Sequence, residues 1–242
     1  MAYQERPYRN YIMADNLIKF EVIEKETDLL VLADKNLYEK ALALVLKCRG
    51  ELEKYIALNP KFSKSYSPLW TGFKAPLIVK EMARAARRAK VGPMAAVAGA
   101  ISELVGNALL EFSEEIIIEN GGDIFLKINK TRQVAVYAGK SPFSEKIALE
   151  IEPREEPFAI SAISGSAEHS FSFGRADAVI VIAKNAALAD AATTAIGNEV
   201  KEVSDIERGL KLAGKIRGLD GVLIIKNDQI GARGKVKLVP LK

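Results

Sequence analysis

Apolar residues change their spacing several times along the chain, and each change predicts an element. In residues 17–33 they alternate as Ile18, Phe20 and Val22, break at Glu26-Thr27-Asp28 and resume as Leu29 to Leu32, the pattern of a β-hairpin turning at those three residues. From about Asn36 to Leu58 they recur as Leu42, Val45, Cys48, Leu52 and Tyr55, one stripe of a helix that must stop before Pro60. Residues 61–75 have aromatics, serines and Pro68 without a period and read as a long ordered loop. Pro76 and Pro93 each occupy a position that a helix's first turn tolerates, opening helices to about Ala89 and Glu111. The second of these is built from Ala95, Ala96, Ala98, Gly99, Ala100, Gly106 and Ala108, which suits close backbone packing. Its start, Val91-Gly92-Pro93-Met94, would also present free N–H groups to a phosphate, which makes Gly92 a candidate contact.

From Glu115 onward the pattern is one of strands: 116–118, 124–128, 134–137, 147–151 and 158–163, joined by short turn-rich segments that favour an antiparallel meander over βαβ units. Val179 to Ile182 is an unbroken β-branched run, which predicts a strand covered on both faces. Asn185 is then an N-cap for an Ala-rich helix on which Asp190, Thr194 and Asn198 fall at i, i+4 and i+8, while Leu188, Ala192 and Ile196 line another face. A carboxylate and a hydroxyl one turn apart could hold a hard cation such as Mg²⁺, and the same spacing suits a solvated polar stripe; spacing does not choose between them. A capping box, Ser204-x-x-Glu207, predicts a further helix, followed by strands at 222–225 and 236–239. Without repeats or a composition break, the chain reads as a single α+β domain over residues 1–242, mainly antiparallel sheet packed with helices.

At 242 residues and 49% hydrophobic content the chain can bury roughly three quarters of its extended surface, so it needs no disulfide or metal to fold. A single cysteine excludes a disulfide, a Cys-x-x-Cys pair and a cysteine zinc cluster, and Cys48 lies on the apolar stripe, where a buried, inert thiol is expected. The net charge of +4 permits an anionic ligand, but acidic residues are interspersed and no aromatic-rich basic motif occurs, so nucleic acid is not an expected partner. The densest basic cluster, Arg84, Arg87, Arg88 and Lys90, reads either as a solvated face or as a phosphate-facing patch. No segment has the length or flanks of a membrane span or an export signal, so a cytoplasmic protein is expected; a homo-oligomer is compatible with everything above.

Three motifs in order, Glu119-Asn120-Gly121-Gly122-Asp123-Ile124, Ala162-Ile163-Ser164-Gly165 and Ala187-Leu188-Ala189-Asp190-Ala191-Ala192-Thr193-Thr194-Ala195, resemble those of the ApbE superfamily, the FAD:protein FMN transferases. These show Gly-Gly-Asp/Asn-Ile, Thr-Ser-Gly and Ala-Asp-Ala-x-x-Thr-Ala at corresponding places. Further stretches, Glu26-Thr27-Asp28-Leu29, Gly92 to Ile101 and Ser172 to Ala178, resemble the branch of that superfamily found in archaea and anaerobic bacteria, and this likeness covers nearly the whole chain. The resemblance implies Asp190 and Thr194 as Mg²⁺ ligands, and Asn120, Gly121, Gly122, Asp123, Ser164 and Gly165 as residues bordering FAD or another nucleotide. It implies a metal that binds only when a nucleotide supplies phosphate oxygens, since one carboxylate and one hydroxyl hold Mg²⁺ weakly.

The chain departs from the transferases at two places. Their Gly-Lys-Gly segment is here Gly92-Pro93-Met94, and their His-x-x-Asp-Pro-Arg-Thr-Gly segment survives only as His169 within His169-Ser170-Phe171-Ser172-Phe173-Gly174. Three functions follow from likeness and departures together. The first is Mg²⁺-assisted group transfer on a nucleotide-like anion, with His169 as acid or base. The second is a role in sulfur assimilation into homocysteine, with any persulfide carried by Cys48 or a partner. The third is a binding protein that has kept the fold without the chemistry.

Overall fold

The computed structural model describes residues 9, 14, 16–163 and 174–241. Its first hairpin pairs β1 (Ile18–Glu24) with β2 (Thr27–Ala33). The turn is tighter than the sequence predicts: Lys25 and Glu26 make it, with Lys25 at φ 53°, and Thr27 already pairs with Glu24. Thr27 is drawn into the strand because it is buried and its Oγ1 accepts a hydrogen bond from Arg49 at 2.7 Å. The next helix, α1 (Tyr38–Leu58), buries Ala41, Val45, Cys48 and Leu52, as its stripe requires. The expected loop at 61–75 instead begins with one helical turn, α2 (Lys61–Lys64), anchored by Phe62 edge-on to Tyr55 with ring centroids 5.2 Å apart. Beyond it lie α3 (Leu77–Ala89), a 3-10 turn at Pro93–Ala96 and α4 (Val97–Leu109).

The strands are β3 (Ile116–Asn120), β4 (Asp123–Lys127), β5 (Arg132–Ala135), β6 (Ile147–Ile151), β7 (Phe158–Ile163) and β8 (Ala178–Ala183). After β8 come α5 (Ala186–Glu199), a 3-10 turn at Val203–Asp205, α6 (Ile206–Ala213), β9 (Leu219–Lys226), β10 (Gln229–Gly234) and β11 (Leu238–Pro240). The cap before α6 is not the predicted Ser204/Glu207 box. Glu202 and Asp205 cap each other's backbone instead, because the 3-10 turn moves the start of the helical segment two residues toward the N-terminus. Strand β10 has no counterpart in the sequence reading: it is an exposed edge with two glycines, so it carries no apolar alternation.

Eight strands form one antiparallel sheet in the order β1-β2-β3-β4-β7-β8-β9-β10, and β11-β6-β5 form a second. The strand pairing is thus an antiparallel meander, interrupted where β5 and β6 leave the main sheet to build the smaller one. Helices α1 and α3 to α6 pack on one face of the main sheet, meeting Val31, Ile118, Phe125, Val179 and Val181. The smaller sheet covers the other face through Leu149 and Ile151 against Leu30, Leu126, Ile180 and Ile182. This two-sided cover is why residues 179–182 are apolar without alternation. Among the described residues no helix is long and apolar enough to cross a membrane.

Candidate functional site

Helices α4 and α5 approach so closely that a Cβ at Gly99 would lie 2.2 Å from the Ala186 carbonyl oxygen, which explains the glycine there. At this contact each helix caps the other. Asp190 on α5 accepts a hydrogen bond from the Gly99 N–H at 2.9 Å, and the Ala98 N–H also favours its charged form. Glu103 on α4 accepts from the Ala187 N–H at 3.0 Å in the first turn of α5, with the Ala186 N–H adding to the same effect. Orphan donors of two helix N-termini thus meet two carboxylates supplied across the interface. Burial nevertheless dominates both groups: it pushes Asp190 up to about 7 and raises Glu103 above the usual carboxylate range.

A second group of polar residues surrounds the turn between β3 and β4. Gly121 and Gly122 both have positive φ, 67° and 102°, as a two-residue hairpin turn of this hand demands, and a Cβ on Gly122 would sit 2.6 Å from the Ala162 oxygen. Asn120 ties the turn to α4 by donating Nδ2–H to the Ala98 oxygen at 3.1 Å. Glu119, fully buried, accepts the Gly122 N–H at 2.9 Å on Oε1, while Oε2 takes the Nε–H of Arg9 at 2.5 Å. Arg9 also bonds Asp28 Oδ1 and the Asp28 carbonyl oxygen, each at 2.8 Å. Asp123 stands in the opposite condition. It is 8% exposed and Ser161, its cross-strand neighbour, 1%, and no cation stands beside it among the described residues. Burial holds Asp123 well above the usual carboxylate range and the Asp190 charge adds to the effect, while a hydrogen bond with the Ser161 hydroxyl opposes it.

One turn beyond Asp190, Thr194 and Asn198 line a cleft of about 370 Å³ together with Ser63 to Tyr66, Lys90 to Gly92, Met94 and Ala95. Lys64 and Lys90 form no ion pair among the described residues. Lys90 ends α3 in the left-handed conformation, φ 61°, where glycine is the easier residue. The basic cluster that contains it divides by use: Arg84 pairs with Glu81, Arg87 stacks on Trp70, Arg88 donates to the Arg217 carbonyl oxygen, and Lys90 alone reaches the cleft. Gly92 lines the cleft and also has a packing reason to be glycine, since a Cβ there would lie 1.8 Å from the Ser65 oxygen.

The candidates named from sequence therefore separate. Gly92 and Thr194 share the cleft, Asp190 lies at the α4–α5 contact, and Asn120, Gly121, Gly122 and Asp123 form the adjoining turn. Ser164, Gly165 and His169 lie outside the described residues. Lys64 was not among the candidates; it sits in a segment without periodicity, and only the fold of α2 brings it opposite Lys90. Cys48 is buried, its thiol pushed up to about 11 by desolvation, so its surroundings disfavour the thiolate that sulfur transfer needs. Among the described residues no three or more His, Cys, Asp or Glu side chains are grouped to hold a metal. The Asp190 carboxylate, whose charge acts on Asp123, and the Thr194 hydroxyl one turn beyond it are hard oxygens of the kind Mg²⁺ accepts when water or phosphate completes its shell.

Residues 9–214 match the protein family described as AbpE bacteria. A UPF0280 protein of Methanocaldococcus jannaschii is 41% identical over 224 residues, spanning 90% of this chain and 91% of its own. One from Methanococcus vannielii is 43% identical over 218 residues, 88% of each chain. Among solved structures, the flavin transferase ApbE of Vibrio cholerae superposes with a TM-score of 0.60 at 13% identity, over 90% of this chain and 96% of that one. The apo form of the flavinyl transferase ApbE of Pseudomonas stutzeri does so with the same score and identity, over 90% and 94%. At such identity the likeness is one of fold. With a family match that runs from Arg9 at the sheet to the end of α6, the chain belongs to the UPF0280 family of ApbE-like proteins and has the ApbE fold.

Proposed function

We propose that the protein binds a phosphate-bearing, nucleotide-like small molecule, FAD being the first to try, in the cleft between α2, residues 90–95 and the C-terminal half of α5, with Mg²⁺ at Asp190 and Thr194. The observation that carries this reading is the pairing of Lys64 with Lys90 around Gly92 and Thr194. Two lysines without an acidic partner favour an anion, and the left-handed backbone at Lys90 is a strain kept where a glycine would relieve it. A cleft of about 370 Å³ lies at the small end of the roughly 300–1,000 Å³ usual for ligand sites, which suits a phosphate and sugar inside with the rest of a dinucleotide extending beyond. Both structural neighbours are flavin transferases, which makes flavin the natural first ligand. Bound Mg²⁺ would supply charge neutralisation of the phosphate. This chain's residues would orient the ligand, with His169 proposed to give or take the proton in any group transfer.

Thermal unfolding of the full chain with FAD, ADP or AMP at millimolar concentration, with and without Mg²⁺, tests the reading. A rise in Tm that is larger with Mg²⁺ is expected, and no rise with any nucleotide overturns it. Lys90→Gly is the informative variant, because it removes the charge while relieving the left-handed backbone: it should raise the ligand-free Tm and reduce the nucleotide-induced shift. A second reading, a binding protein without chemistry, is favoured by one observation. The N–H groups of α4 give the Asp190 carboxylate a packing role that does not require a metal.

A further inference from the structure

Residues 66–77 lead from the cleft to the start of α3 and are held down at two points. Leu69 packs on the helical core, and Ala75 is buried and donates its N–H to the Gly72 oxygen at 3.0 Å. The turn closed by that bond throws Phe73 and Lys74 outward. Phe73 is 98% exposed, Trp70 85% and Leu77, the first residue of α3, 56%, so three large apolar groups stand in water close together. The segment lies along the outer stripe of α3, where Leu77, Lys80, Arg84 and Arg87 recur at helical spacing. Lys80 Nζ is 5.8 Å from the centroid of the Phe73 ring and the Arg87 guanidinium 4.4 Å from that of Trp70, which makes aromatics and cations one surface. Charge singles out the same surface. Residues 61–90 hold eight lysines and arginines against one acid, Glu81, a charge of +7 in a chain of net +4, so all the rest sums to −3. Glu81 is taken by Arg84, while Lys74, Lys80 and Arg87 form no ion pair among the described residues.

We propose that this face docks on an anionic lipid bilayer, with Trp70, Phe73 and Leu77 entering the interface and Lys74, Lys80 and Arg87 meeting the headgroups. Apolar tips ringed by cations match the two layers that a bilayer presents, anionic at its surface and apolar beneath. Other occupants match less well. A second copy using the same face would set +7 against +7. Single-stranded nucleic acid stacks its bases on open rings, but Arg87 already covers one face of Trp70 and Leu77 has no ring to offer. With no helix among the described residues able to cross a membrane, the contact is one of the surface. Tyr66, at the near end of the segment, also lines the cleft, so docking holds the cleft close to the bilayer. The inference stands whether or not a nucleotide binds there.

Sedimentation of the full chain with vesicles tests it, and Trp70, the only tryptophan, reports from the patch itself. With vesicles of phosphatidylglycerol and phosphatidylcholine in equal parts, the chain should co-sediment and its emission should shift to the blue. Binding to phosphatidylcholine alone should be at least about tenfold weaker, and high salt should weaken the parent's binding to the mixed vesicles. Phe73→Ser should weaken binding at least about tenfold and Lys74→Glu at least about fivefold. Both side chains are exposed, so circular dichroism and Tm should match the parent. Co-sedimentation no greater than without lipid overturns the proposal, as does binding that leaves the Trp70 emission unmoved and is unchanged in Phe73→Ser. Emission that responds to a single-stranded oligonucleotide and not to vesicles, or a dimer in solution that Phe73→Ser splits, assigns the face to another occupant and equally overturns it.

Discussion

Glu119 and Asp123 stand four residues apart on either side of one tight turn, both buried carboxylates, and the fold treats them oppositely. Glu119 receives a cation from within the chain, Arg9, together with the Gly122 N–H. Asp123 receives Asp190, a second negative charge, and only the neutral Ser161 hydroxyl to oppose it. One side of the turn has its charge compensated within the chain and the other does not. A carboxylate removed from water is tolerable when it is paired or protonated, so the compensated side is what holds the turn in place, and the other side keeps its proton further up the pH scale.

The largest test of this contrast is Arg9→Met. It strips the cation from Glu119, whose side chain is 1% exposed, and should cost about 3–5 kcal/mol in chemical denaturation. Arg9→Met combined with Glu119→Gln should recover a good part of that loss, because the penalty lies in a buried charge deprived of the guanidinium rather than in the missing bond. If Arg9→Met costs no more than a surface substitution, the completed side of the turn is not a structural anchor and the contrast collapses.

Gly122→Ala comes next. At φ 102°, with the Ala162 oxygen 2.6 Å from the new Cβ, it should destabilise by about 2 kcal/mol in chemical denaturation. Gly121 makes the control: its φ of 67° lies in the left-handed region and nothing is near its Cβ, so Gly121→Ala should cost about 1 kcal/mol. Equal losses from the two would show that the close approach of β7 to the turn adds nothing to the strain.

These contrasts also mark how far the sequence could be read. The two-sided burial of residues 179–182, the paired glycines and the α5 stripe were all legible, because each is a local pattern with one physical cause. The excursion of β5 and β6 into a second sheet was not, since alternating strands look alike whichever sheet they join. At the site, the spacing of Asp190 and Thr194 was visible, but spacing could not reveal that the α4 N–H groups already hold Asp190. Retention of Asp190 is therefore weaker support for a metal than the motif alone suggests. The place of Arg9, the place of Lys64 and the nearness of Asp123 to a second carboxylate are long-range facts, set by which strands and helices meet.

The smallest expected effect concerns Glu103, a half-buried carboxylate, held neither by a cation nor by a ligand but by the N–H groups of α5. Desolvation is the largest influence on it and raises its pKa; Glu81 adds to the rise, while the α5 N–H groups and Arg84 oppose it. A carboxyl group whose pKa is raised by folding binds protons more tightly in the native state than in the unfolded one. Its unfavourable contribution is then absent in acid and grows as pH rises from the ordinary glutamate range through the raised value. Glu103→Gln keeps an oxygen for the α5 N–H groups and removes the charge. It should change stability by no more than about 1 kcal/mol, and should gain on the parent as pH rises above the ordinary glutamate range. Glu103→Ala, which leaves the α5 donors unmet, should cost about 1–2 kcal/mol across that range. Denaturation curves for both variants over pH decide it: if Glu103→Gln loses ground as pH rises, the α5 N–H groups and Arg84 together outweigh burial and stabilise the half-buried carboxylate in its charged form.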